Sequence, residues 1–129
     1  MPIHSKDLYE RGIAIREEMW GAAAGRAKVE GQPEFTRDLE ELVTEYCFGA
    51  VWGRDGISRA TRSLVTLAAL AALGRWPELE VHTKGAIANG ATEDEIREVL
   101  LNTAIYAGIP AAVGGFRHAS IALAELGEG

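Results

Sequence analysis

The chain has 129 residues, 47% apolar and 25% charged, which is enough for the core of one domain and excludes a disordered chain. The 13 lysines and arginines are outnumbered by 19 aspartates and glutamates, so the formal charge of −6 provides no basic surface, and nucleic acid is not an expected partner. Cys47 is the only cysteine, which excludes an intramolecular disulfide framework, a Cys-x-x-Cys redox pair and a thiolate zinc cage.

We expect a cytoplasmic protein that does not enter the membrane. The N-terminal sequence MPIHSKD lacks the apolar segment of a signal peptide, and the most apolar stretch, residues 64–73, is too short to cross a bilayer. A lone cysteine is typical of a reducing compartment.

Helix signals recur along the chain and no segment alternates like a strand, so the pattern predicts an all-α fold of about six helices. Ser5 is the predicted N-cap of a first helix that extends towards Ala27, with breaks expected at Gly12, Gly21 and Gly25. After the breaker at residues 31–33, apolar residues from 35 to 47 follow helical spacing, and residues 53–56 interrupt it.

The second half of the chain has clearer helix boundaries. Ser58 is predicted to cap a helix over residues 59–73 that ends at Gly74, and residues 64–73 are so apolar that both of its faces should be covered, one of them by another subunit. Further helices are predicted from Pro77 to residues 89–90, from a capping box at residues 92–95 to residue 108, and over residues 110–126. We expect one domain over residues 1–129, with a helical extension at 1–30 and a core at 34–126.

A series of short blocks is specific when its members are taken together. The blocks are ELVTEYC (41–47), VWGR (51–54), TRSL (61–64), AALGRWPEL (71–79), His82, Asn89-Gly90, EIREVL (95–100), YAGIPAA (106–112) and Phe116-Arg117. Over about residues 35–119 they resemble the γ-carboxymuconolactone decarboxylase family. The resemblance implies the all-helical alkylhydroperoxidase-like fold and a ring-shaped homo-oligomer, for which we expect a trimer or hexamer. It also implies cofactor-free decarboxylation of 4-carboxymuconolactone to 3-oxoadipate enol-lactone in the protocatechuate branch of the β-ketoadipate pathway.

That reaction defines the side chains to look for. The substrate's unsaturated lactone accepts the electrons released with CO₂, so the protein must supply a donor to the enolate oxygen, an acid and cations for the carboxylates. In the family context His82 is the first candidate for acid or enolate donor, Glu78 is the residue that orients it from position i−4, and Glu45 is a second proton carrier if it is buried. The alternatives are an exposed His82 bonded to Glu78 and a solvated Glu45.

The candidate substrate-binding residues are of two kinds. Arg54, Arg62 and Arg117 lie in blocks that match the family and suit carboxylate binding, although each could instead cap a helix or cross a subunit interface. Pocket-wall candidates are Tyr46, Cys47 and Trp52, with core packing as the alternative for the aromatic residues. No metal site is expected, because the histidines at positions 4, 82 and 118 have no ligand spacing, and His4 and His118 are given no role.

Several departures from the family pattern leave the substrate open. They are Asp55, Ala60, Ala88 and the pair Gly114-Gly115, which alters the pocket if that segment lines it. The alternatives are a decarboxylase, isomerase or cyclase of a related lactone or β-keto acid, and a non-catalytic oligomeric small-molecule binder. A disulfide peroxidase is nearly excluded, because its Cys-x-x-Cys pair is replaced by Glu78-Leu79-Glu80-Val81.

Overall fold

A computed structural model describes residues 4–128, the last of them without its side chain, and every regular element in that range is helical. The α-helices are α1 (Lys6–Trp20), α2 (Arg26–Glu30), α3 (Glu34–Leu42), α4 (Arg59–Leu73), α5 (Trp76–Ala88), α6 (Glu93–Ala107) and α7 (Ile109–Glu128). A 3₁₀ turn (Ala22–Ala24) precedes α2, and a π-helix (Val43–Trp52) continues α3. The predicted all-α class is confirmed, and none of these helices is long and apolar enough to cross a membrane.

The number of helices differs from the expected six because the first predicted helix is broken. Its N-cap is confirmed, since the Ser5 hydroxyl accepts a hydrogen bond from the Leu8 N–H at 3.2 Å. The helix ends at Gly21, whose φ of +92° lies in a region that favours glycine, and the chain resumes as the short α2. Of the three expected breaks, Gly12 lies inside α1 without interrupting it.

The chain forms two compact units that divide between Ile57 and Ser58. In the first unit α1 packs against the π-helix through two glycines. A Cβ atom added to Gly12 would lie 2.0 Å from the Thr44 carbonyl oxygen, and one added to Gly49 would lie 2.1 Å from the Leu8 carbonyl oxygen. Because side chains cannot approach a backbone so closely, this contact requires glycine at both positions.

A buried arginine joins the helices of the first unit. The Nη1 atom of Arg16 donates to the Glu40 carboxylate at 3.1 Å and to the Thr44 hydroxyl at 3.3 Å, and its Nε donates to the Ala24 carbonyl at 3.0 Å. Its guanidinium also lies 5.6 Å from the ring centroid of Phe48. These contacts compensate the buried charge, so Arg16 is a structural residue.

The second unit contains α4 to α7, and the predicted helix boundaries are largely observed. The Ser58 hydroxyl accepts the Thr61 N–H at 3.0 Å, and α4 ends at Gly74 with φ of +70°. At the start of α6, the Thr92 hydroxyl and the Glu95 carboxylate form the predicted capping box. The unit's core is built around Leu67, Ala71, Leu79, Ala86, Ala91, Ile96, Leu100 and Ala119.

Helix α4 is covered on one face only by the residues that the structure describes. Leu67 and Ala71 are buried in the core, whereas Val65 and Leu73 are 59% and 68% exposed. The expectation that both faces are covered is therefore not met within one chain. An exposed apolar face of this kind is typical of an interaction surface.

The glycine pair of α7 lies between helices. A Cβ atom added to Gly114 would lie 2.4 Å from the Trp76 ring of α5, and one added to Gly115 would lie 2.9 Å from Leu100 of α6. The pair therefore allows α7 to pack closely against α5 and α6. Larger side chains at these two positions would hold α7 away from α5 and α6. We therefore attribute this departure from the family pattern to helix packing.

Candidate functional site

His82 borders an open cavity of about 280 Å³ on one face of α5. Pro77, Glu78, Val81 and His82 line this cavity. Pro77 and Val81 are four residues apart, as are Glu78 and His82, so the four side chains lie on one face of the helix. Pro77 fits the first turn of α5, because a backbone N–H at that position would have no acceptor within the helix. We call these four residues the α5 wall.

The α5 wall holds its histidine in the neutral form. Burial lowers the pKa of His82 from 6.5 to about 4, and the negative charge of Glu78 opposes this shift with a smaller effect. At neutral pH the imidazole is therefore uncharged, with one nitrogen carrying a proton and the other able to accept one. His82 is suited to donate a neutral hydrogen bond to an oxygen that gains charge during a reaction.

The cationic candidates of the second unit do not line this cavity. Arg62 lies in α4, and its Nε atom is buried without a hydrogen bond to the described part of the chain. Arg117 lies on α7 with an exposed side chain. The ionic character of the α5 wall therefore comes from Glu78 alone, and the wall itself offers no cation to a carboxylate.

Glu45 is buried in the first unit, as a proton carrier should be, but its carboxylate is already engaged. One oxygen accepts the His4 N–H at 3.0 Å and the other accepts the Ser5 N–H at 2.7 Å. The carboxylate thus binds the backbone where α1 begins, where the helix dipole favours a negative charge. Glu45 therefore has a structural role at the start of α1, and this role accounts for its burial.

The remaining candidates of the first unit have diverse environments. Trp52 is buried next to Phe48, with 6.0 Å between ring centroids, which corresponds to the core alternative. Tyr46 is 61% exposed, and Arg54 is exposed just after the π-helix. Cys47 is half-buried, and burial raises the pKa of its thiol, so it is not an activated nucleophile.

A second histidine lies in a polar contact that sequence reasoning missed. The Nδ1 atom of His118 on α7 lies 2.5 Å from a carboxylate oxygen of Glu80 on α5. Its ring also stacks on Trp76, with centroids 5.2 Å apart and planes within 3° of parallel. The pair is 38 residues apart in sequence, so no local spacing could reveal it. Because Glu80 and His82 are two positions apart on a helix, they point to different sides of α5.

No cluster suited to a metal ion occurs among the described residues. None of their histidine, cysteine, aspartate and glutamate side chains form a group of three or more in position to hold one. The α5 wall itself contributes one histidine and one carboxylate, fewer than a structural or catalytic zinc site uses.

Comparison with known proteins gives a consistent result. The sequence profile of the carboxymuconolactone decarboxylase family matches residues 37–120, a range that includes all of the candidate residues. The 4-carboxymuconolactone decarboxylase of Acinetobacter baylyi is 35% identical over 125 residues, which cover 97% of this chain and 93% of the relative. The nitrosuccinic acid decarboxylase of Metarhizium robertsii is 42% identical over 106 residues, which cover 82% of this chain and 74% of the relative.

Proposed function

Because the chain belongs to the carboxymuconolactone decarboxylase family and is a carboxy-lyase, we propose that it converts 4-carboxymuconolactone to 3-oxoadipate enol-lactone and CO₂ without a cofactor. The observation that carries the proposal is a neutral, desolvated His82 beside a cavity, in a chain similar to a decarboxylase of this substrate over nearly its whole length. The reaction belongs to the protocatechuate branch of the β-ketoadipate pathway, and we expect it to take place in the cytoplasm.

The first step breaks the bond between the ring carbon and the leaving carboxylate. The two electrons of that bond pass through the ring double bond to the lactone carbonyl, which becomes an enolate oxygen as CO₂ departs. In the proposed mechanism the neutral N–H of His82 donates to this oxygen. A histidine whose pKa is lowered can polarise a carbonyl as the neutral imidazole, so a pKa of about 4 suits this role.

The second step returns a proton to carbon. The ring carbon next to the carbonyl takes one proton, the electrons on the enolate oxygen re-form the carbonyl, and the ring double bond made in the first step becomes that of the product. Glu78 orients the imidazole from the preceding turn, and its negative charge stabilises any imidazolium that forms. Pro77 and Val81 add apolar surface next to the leaving carboxylate, which weakens its hydration and favours its conversion to neutral CO₂.

The substrate's carboxylates require cations, which the α5 wall lacks. Arg54, Arg62 and Arg117 remain the proposed anion-binding residues, and Tyr46, Cys47 and Trp52 remain the proposed pocket residues. Glu45 remains a proposed proton carrier of lower rank than His82, because its carboxylate already binds two backbone N–H groups. We further propose a ring-shaped homo-oligomer, a trimer or hexamer, which the exposed apolar face of α4 supports.

A second candidate substrate is nitrosuccinic acid or a similar small acid. The relative that acts on it is 42% identical over the matched 106 residues. In nitrosuccinic acid the nitro group is attached to the carbon that bears one carboxylate. Loss of that carboxylate leaves a nitronate, whose charge resides on oxygen as in the enolate. The same neutral donor therefore serves both reactions.

The two candidates are separated by measuring CO₂ release from each acid. Purified protein, treated with a chelator and dialysed, is incubated with 4-carboxymuconolactone or with nitrosuccinic acid, and the products are identified by NMR. Buffer alone gives the spontaneous rate, and matched His82→Ala protein controls for contaminating enzymes. We expect the larger kcat/KM for the lactone. Turnover of nitrosuccinic acid alone would move the assignment to the second candidate, and turnover of neither acid would contradict the proposal.

A further inference from the structure

Helix α7 carries an exposed stripe in which one cation lies among aliphatic residues. Ile109, Val113, Arg117 and Ile121 are spaced four residues apart, so they follow one another along one side of the helix. The three aliphatic side chains are 66%, 49% and 41% exposed in this order. Arg117 forms no hydrogen bond or ion pair with the side chains described for residues 4–127. We call these four residues the α7 ridge.

The α5 wall has the complementary character. It exposes apolar surface, with Val81 48% exposed next to Pro77, and its one charged side chain is the carboxylate of Glu78. Among the residues that the structure describes, those that border the cavity all lie on α5. A polyanionic substrate bound there would meet Glu78 and a neutral imidazole but no compensating cation. The described lining of this cavity therefore contains the histidine but no cation for a carboxylate.

We propose that the α7 ridge of a second copy of the chain covers the α5 wall and brings the partner subunit's Arg117 to the cavity beside Glu78 and His82. The aliphatic side chains of the ridge would bury the exposed surface of Pro77 and Val81. The arginine would bind a substrate carboxylate as a bidentate donor and would pair with Glu78 in the empty site. The role as a substrate cation rests on the proposed function, whereas the contact between the two surfaces does not.

The geometry within one chain favours a contact between copies. Helix α7 contacts α5 of its own chain through Gly114, which adjoins Trp76, and through His118, which adjoins Glu80. In this arrangement Arg117 remains exposed and does not line the cavity. The ridge and the wall are different surfaces, so each copy can offer its ridge to the wall of the next, and a head-to-tail contact of this kind forms a ring when the rotation between copies closes.

A complementation experiment tests the catalytic part of the inference. Chains with His82→Ala and chains with Arg117→Ala, each checked for helical content and assembly, are mixed under conditions that exchange subunits. If the two residues act from different copies, about a quarter of the sites in a random mixture regain both, and activity rises to about that fraction of wild type. If they act from the same chain, no site regains both, and activity at the level of the separate variants would overturn the inference.

A cross-linking experiment tests the contact without any substrate. In a Cys47→Ser background, chains with Val81→Cys are mixed with differently tagged chains with Val113→Cys and treated with a short bis-maleimide. The inference predicts a covalent pair that contains one chain of each kind. Arg97→Cys, at an exposed position on α6, replaces Val113→Cys as the matched control. A yield of the mixed pair no higher than in this control would overturn the contact. This outcome does not depend on whether the lactone is the substrate.

Discussion

His82 is the residue on which the proposed chemistry depends, because its neutral state determines what it can donate. Burial lowers its pKa to about 4, so a protonated imidazole is a minor species in the free protein at neutral pH. A neutral N–H can stabilise an enolate oxygen, but it is a poor source of a proton for carbon. The sequence left open whether His82 acts as an acid or as an enolate donor. The acid role requires the imidazolium, which predominates below the pKa, and the donor role requires the neutral imidazole, which predominates above it.

The pH dependence of kcat/KM distinguishes these roles. With a neutral donor we expect kcat/KM for the lactone to stay level from about pH 5 to 8 and to fall only as His82 becomes protonated near pH 4. An imidazolium acid would instead give a tenfold fall in kcat/KM for each pH unit above about 4. Stopped-flow absorbance of the lactone over this range makes the measurement, and the second profile would contradict the neutral donor.

The same pKa shift predicts how His82 affects stability. Between pH 4 and 6.5 the unfolded chain binds the proton of His82 more tightly than the folded chain, so this residue makes the free energy of unfolding rise with pH. The cost of burying His82 is fully present below pH 4, amounts there to at most about 3 kcal/mol, and is absent above pH 6.5.

The stability effect is measured by comparing the pH dependence of unfolding in wild type and in a variant without the imidazole. Urea unfolding of wild type and His82→Gln at pH 4.5 and pH 7 should show a smaller pH dependence in the variant, because glutamine does not titrate. The contributions of the carboxylates and of the other histidines to this pH dependence are common to both proteins, so they cancel in the comparison. Equal pH dependence in the two proteins would show that burial does not lower the pKa of His82.

The shared position of the α5 candidates could be predicted from the sequence more readily than the environments of the candidates in the first unit. Glu78 and His82 are four positions apart on one helix, so their common face follows from helix geometry, and the same rule would have added Pro77 and Val81. Glu45 binds backbone groups 40 and 41 positions away, a contact that depends on how α1 meets the π-helix. Spacing along the chain contains no signal for such a contact.

Among the elements, the helices of the second unit were predicted well because their boundaries are set by local chemistry. Ser58 and Gly74 delimit α4, and the Thr92–Glu95 capping box starts α6, as expected. The first unit was predicted less well, since the helix from residue 34 continues to Trp52 and winds as a π-helix after Leu42. A periodicity of 3.6 residues does not apply to a π-helix, so apolar spacing did not reveal the change in winding after Leu42, whereas the predicted interruption at residues 53–56 agrees with the end at Trp52.

The close contact between α1 and the π-helix gives a testable requirement for glycine. We expect Gly49→Ala to lower the free energy of unfolding by at least about 2 kcal/mol, because its Cβ would lie 2.1 Å from the Leu8 carbonyl oxygen. Gly56→Ala is the matched control, with nothing within 4 Å of the added Cβ, and should change stability by no more than about 0.5 kcal/mol. Chemical denaturation measures both, and equal stabilities would contradict the close packing.

For the whole molecule, the sequence indicated one domain, whereas the structure has two compact units that divide after Ile57. The family match begins at residue 37 and ends at residue 120, so it spans both units. The expected division at residues 30 to 34 does not coincide with this boundary, because the π-helical continuation of α3 packs with α1 in the first unit. Local breaker signals do not show which helices will share a core.

The exposed face of α4 leads to a prediction about assembly. Val65 lies on that face at 59% exposure, and we expect Val65→Glu to shift the oligomer towards smaller species, because a buried charge opposes association. Gly56→Glu is the control, since it adds the same charge at an exposed position outside α4, where an added Cβ meets nothing within 4 Å. Light scattering coupled to size-exclusion chromatography gives the masses. Unchanged mass in the Val65 variant would show that this face is not an interface.

The most direct test of the whole account is the rate at which wild type and His82→Ala convert freshly generated 4-carboxymuconolactone, followed by ultraviolet absorbance with identification of the product. We predict that wild type forms 3-oxoadipate enol-lactone and CO₂ without added cofactor. The variant should retain its helical content and lose about a hundredfold to a thousandfold in kcat, the usual cost of removing one donor to a developing oxyanion. Equal rates in the two proteins would contradict the assignment of the α5 wall as the site of decarboxylation.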